Sequence, residues 1–227
     1  MIFLCSMPVY YDVHTHTDKR SENVVQIHSL FHDQLKLIQP QPQVWYSVGW
    51  HPWHVDARRS DEIFSWLEKA VHHEKVIAVG ETGLDRSLET AIGLQHNIFS
   101  RHLSLAEKSD MPVIVHAVKS YPDIIRAYKE SKAHIPLIIH GFRGNQQAAR
   151  QLLTHGFYLS FGTPLLKQNS RLAQVFQNIP TEQLFLETDN TDADIKQLYE
   201  RAAVLRSLKT EQLMEIIERN FKKCFGK

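Results

Sequence analysis

Cysteine is scarce in this chain of 227 residues, which carries only Cys5 and Cys224, one near each end. Neither belongs to a recognisable cysteine motif, so the sequence excludes a disulfide framework. We interpret the two thiols as those of a protein from a reducing compartment.

Long apolar runs are also missing. No stretch approaches the ~18 consecutive apolar residues that indicate a membrane-spanning helix. The opening MIFLCSMPVYYD has neither the basic segment nor the cleavage site of a secretory leader. We therefore expect a cytoplasmic protein with no membrane partner.

Neither sign of charge dominates, because 26 Lys and Arg residues oppose 25 Asp and Glu residues and leave a net charge of +1. The sequence has no basic stripe with interleaved aromatic residues, which is typical of proteins that track single-stranded nucleic acid. A general nucleic-acid-binding module is therefore disfavoured. Any nucleic acid would be contacted locally.

Short apolar runs, in contrast, recur along the whole chain. Several are continuous rather than alternating, which is typical of parallel strands buried on both faces. The eight runs are YYDVHTH (10–16), VVQIHS (24–29), VWYSVGWH (44–51), VIAVGE (76–81), PVIVH (112–116), PLIIH (136–140), FYLSFG (157–162) and LFLETD (184–189). We predict one domain over residues 1–227 with the (β/α)8 TIM-barrel fold. A doubly wound open sheet is the alternative, but its Gly-rich first turn is not found.

Helical patterns lie between most of these runs. Ser60 precedes an amphipathic stripe that includes Ile63 and Leu67, and Asn145 and Thr210 are placed to cap two further helices. Only TDKRSEN separates the first two runs, whereas a crossover with its helix needs at least about 10–12 residues. Either the first helix is missing or VVQIHS (24–29) is not a barrel strand. We favour a barrel that lacks its first helix.

Polar side chains stand at or beside the ends of these runs, and in a barrel the carboxyl ends of the strands meet at one mouth. They are His14, His16, His51, Glu81, His116, His140 and Asp189. Imidazole nitrogens and carboxylate oxygens are ligands of divalent metals, and burying so many of them without a cation would be costly. The pattern predicts a metal site at the mouth.

The number of ligands favours two ions over one. A catalytic zinc ion uses about three protein ligands plus water, and six ligands with one bridging carboxylate fit a pair of ions about 3.5–4 Å apart. The chain has fourteen histidines. We interpret the others, such as His28, His32 and His102, as structural or surface residues, because they lack a strand-end position or a partner.

Six motifs resemble those of one family. DVHTH, SVGWHPW, AVGETGLD, MPVIVH, LIIHGFRGN and LFLETD stand in the order and spacing of the TatD-type metal-dependent hydrolases, amidohydrolase-like barrels known mainly as deoxyribonucleases. The resemblance covers nearly the whole chain. It implies a hydrolase that cleaves phosphodiester bonds in DNA, with a metal-bridged hydroxide as the nucleophile.

The resemblance also implies roles for individual residues. His14, His16 and Asp189 would hold one ion, and Glu81 would bridge it to a second. Asp189 would in addition accept the proton of the attacking water, so Asp189 and Glu81 are the predicted catalytic residues.

The second ion would be held by His116 and His140. His51, Asp85 and Lys119 are the predicted substrate contacts, although His51 and Asp85 could instead orient a ligand. The ions would be zinc, manganese or magnesium. A His-rich site suits the first two, whereas the resemblance implies activity with magnesium.

Three departures from the family pattern lie at the predicted mouth. HAVKSY replaces the usual H-S-R, so Lys119 is the nearest cation, and with Arg86 and Arg143 it is either a phosphate contact or an ordinary surface charge. The loop that usually follows E-T-D is missing, and so is the first helix. The metal ligands are complete, but the mouth differs from that of the family.

Two other functions remain open. The same two ions could hydrolyse a small amide, ester or phosphoester, because a barrel fold does not determine its substrate. A non-catalytic metal-binding protein is the other alternative, although a complete set of ligands argues against a decayed site. We expect a monomer that contacts DNA or another phosphodiester locally.

Overall fold

A sheet of eight parallel strands forms the centre of the protein, with the strands in chain order. The computed structural model describes residues 9–17, 21–31, 34–39, 41–168 and 170–227. The strands are β1 (Tyr10–Thr15), β2 (Val24–Leu30), β3 (Val44–Val48), β4 (Val76–Asp85), β5 (Val113–Val118), β6 (Leu137–Ile139), β7 (Tyr158–Phe161) and β8 (Leu184–Leu186). All eight predicted runs therefore form strands.

The barrel nearly closes between β1 and the segment that follows β8. The N–H of Asp189 donates to the His14 carbonyl at 2.9 Å, and the N–H of His16 donates to the Asp189 carbonyl at 3.1 Å. These bonds form an isolated parallel bridge between Thr15 and Asp189. The predicted (β/α)8 barrel is confirmed.

Helices follow six of the eight strands in the described residues, on the outside of the barrel. They are α1 (Ser60–Ala70), α2 (Ile92–Ser109), α3 (Tyr121–Ser131), α4 (Gln146–Thr154), α5 (Arg171–Gln177), α6 (Ile195–Leu205) and α7 (Thr210–Phe225). Among the described residues, no helix combines the length and the apolar character that a bilayer span requires.

The first connection carries no helix in its described residues, 16–17 and 21–23. β1 and β2 pair directly, with Tyr10 beside Val24, so the predicted loss of the first helix is confirmed for this part of the connection. The middle of TDKRSEN lies outside the described residues, as do Cys5 and His32. In the described part of the next connection, only a 3-10 turn at Leu35–Leu37 is present.

The two C-terminal helices pack against β1. The ring of Tyr11 lies 4.5 Å from that of Phe221 in α7. The hydroxyl of Tyr199 in α6 donates to the Tyr11 carbonyl and accepts the Tyr11 N–H, both at 3.0 Å. Apolar burial and satisfied backbone groups thus stabilise the strand that carries the first two histidines.

Of the three predicted helix caps, Asn145 is confirmed, because its side-chain oxygen accepts the N–H of Ala148 at 2.9 Å. Ser60 and Thr210 are wrong by one position, since each is the first residue inside its helix. A cap differs from the first helical residue in its backbone angles, which neighbouring letters do not specify.

Buried polar side chains join β1 to the end of β8. Asp12 is 1% exposed, and its two carboxylate oxygens accept the N–H of Thr188 at 3.0 Å and the hydroxyl of Thr188 at 2.6 Å. Burial raises the pKa of Asp12 to about 7, against the opposing effect of these hydrogen bonds. The aspartate of the DVHTH motif is therefore part of the barrel's closure.

Gly83 lies in β4, opposite His116 of β5. Its φ of +147° is disfavoured for residues with side chains, and a Cβ at this position would lie 2.0 Å from the His116 carbonyl oxygen. A side chain at Gly83 would thus displace the strand that carries His116. This contact explains the second glycine of the GETGLD motif, Gly83.

We expect Gly83→Ala to lower the free energy of unfolding by about 3 kcal/mol or more, because it adds both backbone strain and a clash. Gly93→Ala is the matched control. A Cβ at Gly93, in the first turn of α2, would meet nothing within 4 Å, so alanine should leave stability unchanged or raise it by up to about 1 kcal/mol. Urea unfolding followed by circular dichroism measures both variants, and equal stability would contradict this account of Gly83.

Asp12→Asn should change how stability depends on pH. The pKa of Asp12, about 7 in the folded state against an ordinary 3.8, makes the folded protein hold more protons than the unfolded chain between these values. Asp12 therefore stabilises the fold fully below about pH 4, and this contribution is lost as pH rises through 7. The neutral variant should gain about 3 kcal/mol relative to wild type between pH 5 and pH 8.

Chelator-treated protein is the material for this comparison, with unfolding free energies measured by urea at each pH. Asp61→Asn, at an exposed position in α1, is the control and should follow the wild-type pH curve. Parallel curves for Asp12→Asn and wild type would show that Asp12 has an ordinary pKa.

Candidate metal centre

The side chain of Glu81 occupies the middle of the barrel mouth, and five imidazole rings surround it. Glu81 lies within β4 and is 4% exposed. Its pKa is held well below the usual range, because His140 and the other imidazoles outweigh the effect of burial. The surrounding rings belong to His14, His16, His51, His116 and His140.

One oxygen of Glu81 faces the pair of histidines from β1. Glu81 Oε2 lies 3.1 Å from His16 Nε2 and 3.4 Å from His14 Nε2. Asp189 Oδ1 lies 3.6 Å from His14 Nε2 and 3.9 Å from His16 Nε2. His14, His16 and Asp189 thus present three ligand atoms within 4.8 Å of one another.

His14 supplies the strongest indication of a ligand. The residue is fully buried, yet neither of its ring nitrogens has a hydrogen-bond partner. Burying a polar nitrogen without a partner costs on the order of 1–3 kcal/mol. A cation bound to Nε2 would remove this cost at that nitrogen, so the residue fits a metal-ligand role.

The other oxygen of Glu81 faces the histidines of β5 and β6. Glu81 Oε1 lies 2.7 Å from His140 Nε2 and 2.9 Å from His116 Nδ1, and these two nitrogens are 3.2 Å apart. Glu81 therefore has one oxygen toward each group of histidines. This is the arrangement that a bridging carboxylate requires.

His51 reaches the same oxygen, with Nε2 at 3.1 Å from Glu81 Oε1. Its Nδ1 accepts the N–H of Trp53 at 3.1 Å, so in the neutral ring Nε2 carries the hydrogen and donates it to Glu81. Burial lowers the pKa of His51 in spite of the nearby carboxylate, which favours this neutral form. His51, a predicted substrate contact, is thus a buried ring that donates to Glu81.

Asp85 is likewise buried beneath the mouth. Its Oδ2 accepts the indole N–H of Trp53 at 3.1 Å and lies 3.3 Å from His116 Nε2. Although burial acts against the charge, hydrogen bonds from Ser87 and its other neighbours hold the pKa of Asp85 below its usual range. This side chain, a predicted substrate contact, is thus placed to orient His116.

Sequence reasoning missed Glu187, which is fully buried behind His140. Glu187 Oε1 accepts the N–H of Gly141 at 2.6 Å and lies 3.4 Å from His140 Nδ1. Carboxylates in this position fix the ring orientation of metal-binding histidines. The alternation that pairs His14 with His16 would also have paired Glu187 with Asp189, and this signal was available in LFLETD.

His140 and Glu187 shift each other's protonation. Burial acts against a charge on His140, but the carboxylates of Glu81 and Glu187 raise its pKa well above the usual range. Burial also acts against a charge on Glu187, whose pKa is lowered mainly by His140. The two pKa shifts thus favour a positively charged His140 ring beside a negatively charged Glu187 carboxylate.

The predicted cationic contacts have different environments. Arg86 donates to both carboxylate oxygens of Asp123, at 2.7 and 2.9 Å, so it already forms a structural ion pair. Lys119 directly follows β5, is exposed and has a φ of +51°. Arg143 is exposed and lines a small pocket together with Asp189.

His102 is confirmed as a structural histidine. It is fully buried, its Nε2 accepts the N–H of Trp50 at 3.1 Å, and its Nδ1 donates to the Ile98 carbonyl at 2.8 Å. Burial lowers its pKa to about 4. The ring therefore stays neutral and holds β3 against α2.

Comparison with known proteins agrees with this geometry. A family profile described as TatD related DNase matches residues 12–226. YabD of Bacillus subtilis (strain 168), named an uncharacterized metal-dependent hydrolase, is 30% identical over 208 residues, or 84% of this chain and 81% of YabD.

Two solved structures show the same barrel. YjjV, a TatD homologue from Escherichia coli K12, has a TM-score of 0.84 at 20% identity, over 96% of this chain and 98% of YjjV. A phosphotriesterase homology protein from Escherichia coli, crystallised with phosphate in its active site, has a TM-score of 0.71 at 12% identity, over 96% of this chain and 99% of that protein. At these low sequence identities, the similarity to the two structures shows a shared fold and no more.

Glu187→Gln should weaken metal binding about 10- to 100-fold, the usual effect of changing a group that orients a ligand. Glutamine can still accept the Gly141 N–H, but it removes the charge beside His140. Competition between the protein and a chelating dye for Zn²⁺ measures the affinity. Glu182→Gln, at an exposed position before β8, is the control, and equal affinity in the two variants would contradict the orienting role.

Proposed function

This chain belongs to the family of TatD related DNases, and on that premise we propose that it is a divalent-metal-dependent hydrolase of phosphodiester bonds. The observation that carries the proposal is the position of Glu81, whose two oxygens face two separate groups of histidines. His14, whose buried ring nitrogens form no hydrogen bond, supports it further.

The proposed centre would hold two ions, with Glu81 as a shared ligand. His14, His16 and Asp189 would hold the first ion. His116 and His140, whose facing nitrogens are 3.2 Å apart, would hold the second. When bound, such ions lower the pKa of water and neutralise charge on phosphoryl oxygens.

Zinc or manganese suits this donor set best, because imidazole is a preferred ligand of transition metals. Magnesium prefers oxygen ligands and a shell of water, and four of the six proposed ligands are histidines. We therefore expect manganese or zinc to support more activity than magnesium at equal concentration.

Asp189 is the proposed general base. Its side chain is 37% exposed, whereas that of Glu81 is 4% exposed, so Asp189 could reach both the first ion and the solvent at the mouth. A carboxylate here can accept the proton of the attacking water. Glu81 contacts His51 and the proposed ligand histidines, and it fixes the distance between the two groups of ligands.

DNA is the proposed substrate class, in line with the family description. Lys119 and Arg143 are exposed near the mouth and can meet phosphate oxygens. The net charge of +1 supports a short contact, in which one or a few phosphates beside the cleaved bond are bound by a monomer.

A small phosphoester is the second candidate substrate. A cavity of about 280 Å³ opens beside His16 and is lined by Phe31, His28 and Tyr46 among other residues. This volume is near the lower limit for small-molecule sites. A mononucleotide or aryl phosphodiester would suit it better than a duplex would.

Glu81→Gln should lower kcat on bis(4-nitrophenyl) phosphate and on a labelled oligonucleotide by at least about 10²–10³-fold. It should also lower the metal content of purified protein from the two equivalents expected in wild type. Elemental analysis and initial rates in Mn²⁺ give these values. Glu68→Gln, at an exposed position in α1, is the matched control and should behave as wild type.

Full activity of Glu81→Gln would refute the two-ion site. A wild-type enzyme that hydrolyses cyclic amides or carboxylic esters but none of the phosphodiesters would instead refute the substrate class. Metal-free wild-type protein that cannot be reconstituted would identify a non-catalytic barrel.

A further inference from the structure

Trp53 is a largely exposed tryptophan beside the candidate metal centre. Four large apolar residues of the described chain are well exposed, and Trp53, at 63%, is the only aromatic one among them. It lies in a single 3-10 turn, Pro52–His54, that follows the carboxyl end of β3. The ring therefore stands at the mouth of the barrel.

The orientation of Trp53 is restrained from three sides. Its indole N–H donates to Asp85 Oδ2 at 3.1 Å, and its backbone N–H donates to His51 Nδ1 at 3.1 Å. Pro52 limits the preceding backbone. Such restraints reduce the entropy that the ring would lose on contact with a ligand.

The N–H edge of the indole is directed at Asp85, beneath the candidate metal centre. The indole ring is nearly perpendicular to that of His51, with the centroids 4.9 Å apart, and to that of His116, with the centroids 6.2 Å apart. Because the indole N–H is already bound and most of the ring is exposed, a face remains for a planar partner. The Trp53 ring thus lies beside His51 and His116, and both of these histidines contact Glu81.

Phe31 does not offer the same surface. Its ring lies parallel to that of His16, with the centroids 5.6 Å apart and an angle of 15° between the planes. It is also nearly perpendicular to the ring of His54, with the centroids 5.5 Å apart. One face of Phe31 is therefore already covered.

We propose that Trp53 is a specificity-determining residue on which the nucleobase next to the cleaved phosphodiester stacks. Every base has a π-face, so this contact would favour nucleotides over simple phosphodiesters without selecting a sequence. The inference rests on the proposed phosphodiesterase activity, and it adds a preference that the ions alone would not supply. A net charge of +1 leaves little long-range attraction, which makes a local contact of this kind more valuable.

The direct experiment compares two substrates that differ only in their bases. One is the dinucleotide of thymidine, and the other has the same phosphodiester between two tetrahydrofuran abasic sugars. Wild-type enzyme loaded with Mn²⁺ should prefer the dinucleotide in kcat/KM by at least about fivefold. Trp53→Ala should lose this preference through a higher KM for the dinucleotide, whereas any loss of kcat from the missing hydrogen bond to Asp85 should be the same for both substrates.

Trp53→Phe separates stacking from the hydrogen bond to Asp85. Phenylalanine keeps a ring face but has no N–H, so it should retain most of the preference for bases. If Trp53 served only to position Asp85, Trp53→Phe and Trp53→Ala would both lower kcat and both keep the wild-type preference for the dinucleotide, and the proposal would be wrong. Trp45→Phe, on β3 away from the mouth, is the matched control.

A binding measurement keeps this inference distinct from the proposed activity. Thymidine 5′-monophosphate should bind the wild type at least about fivefold more tightly than deoxyribose 5-phosphate, as measured by isothermal titration calorimetry, and Trp53→Ala should abolish the difference. Equal affinities in the wild type would overturn the role of Trp53 even if the enzyme cleaves DNA. A clear preference without any turnover would support Trp53 and refute the hydrolase.

Discussion

A single carboxylate, that of Glu81, organises the mouth of this barrel. Five imidazole rings lie around it at distances of 2.7–3.4 Å, and they come from β1, the end of β3, β5 and the end of β6. A buried carboxylate is costly without compensation, and so is a buried imidazole without a partner. The fold brings these groups together in one place, where divalent cations can satisfy them.

The rest of the structure holds this arrangement in position. The pair of Asp12 and Thr188 joins the first strand to the end of the last, so the ligands of β1 and Asp189 stay adjacent. Gly83 lets β5 approach β4 closely enough for His116 to reach Glu81. Glu187, Asp85 and His51 are placed to orient individual side chains. Trp53 donates its indole N–H to Asp85 and its backbone N–H to His51.

Much of this could be predicted from the letters, since continuous apolar runs indicate parallel strands and strand ends converge in a barrel. The positions of His14, His16, Glu81, His116 and His140 followed from that rule. What the letters did not reveal depends on side-chain geometry. Which nitrogen of His51 carries hydrogen depends on the Trp53 N–H, and the role of Glu187 depends on the approach of Gly141. Neither contact follows from a periodic pattern in the amino-acid sequence.

The most direct test of the central claim is anomalous diffraction at the manganese edge, from crystals grown with Mn²⁺. The account predicts two peaks, one on each side of the Glu81 carboxylate, with His14, His16 and Asp189 at the first and His116 and His140 at the second. A single peak, or two peaks that do not share Glu81, would contradict it.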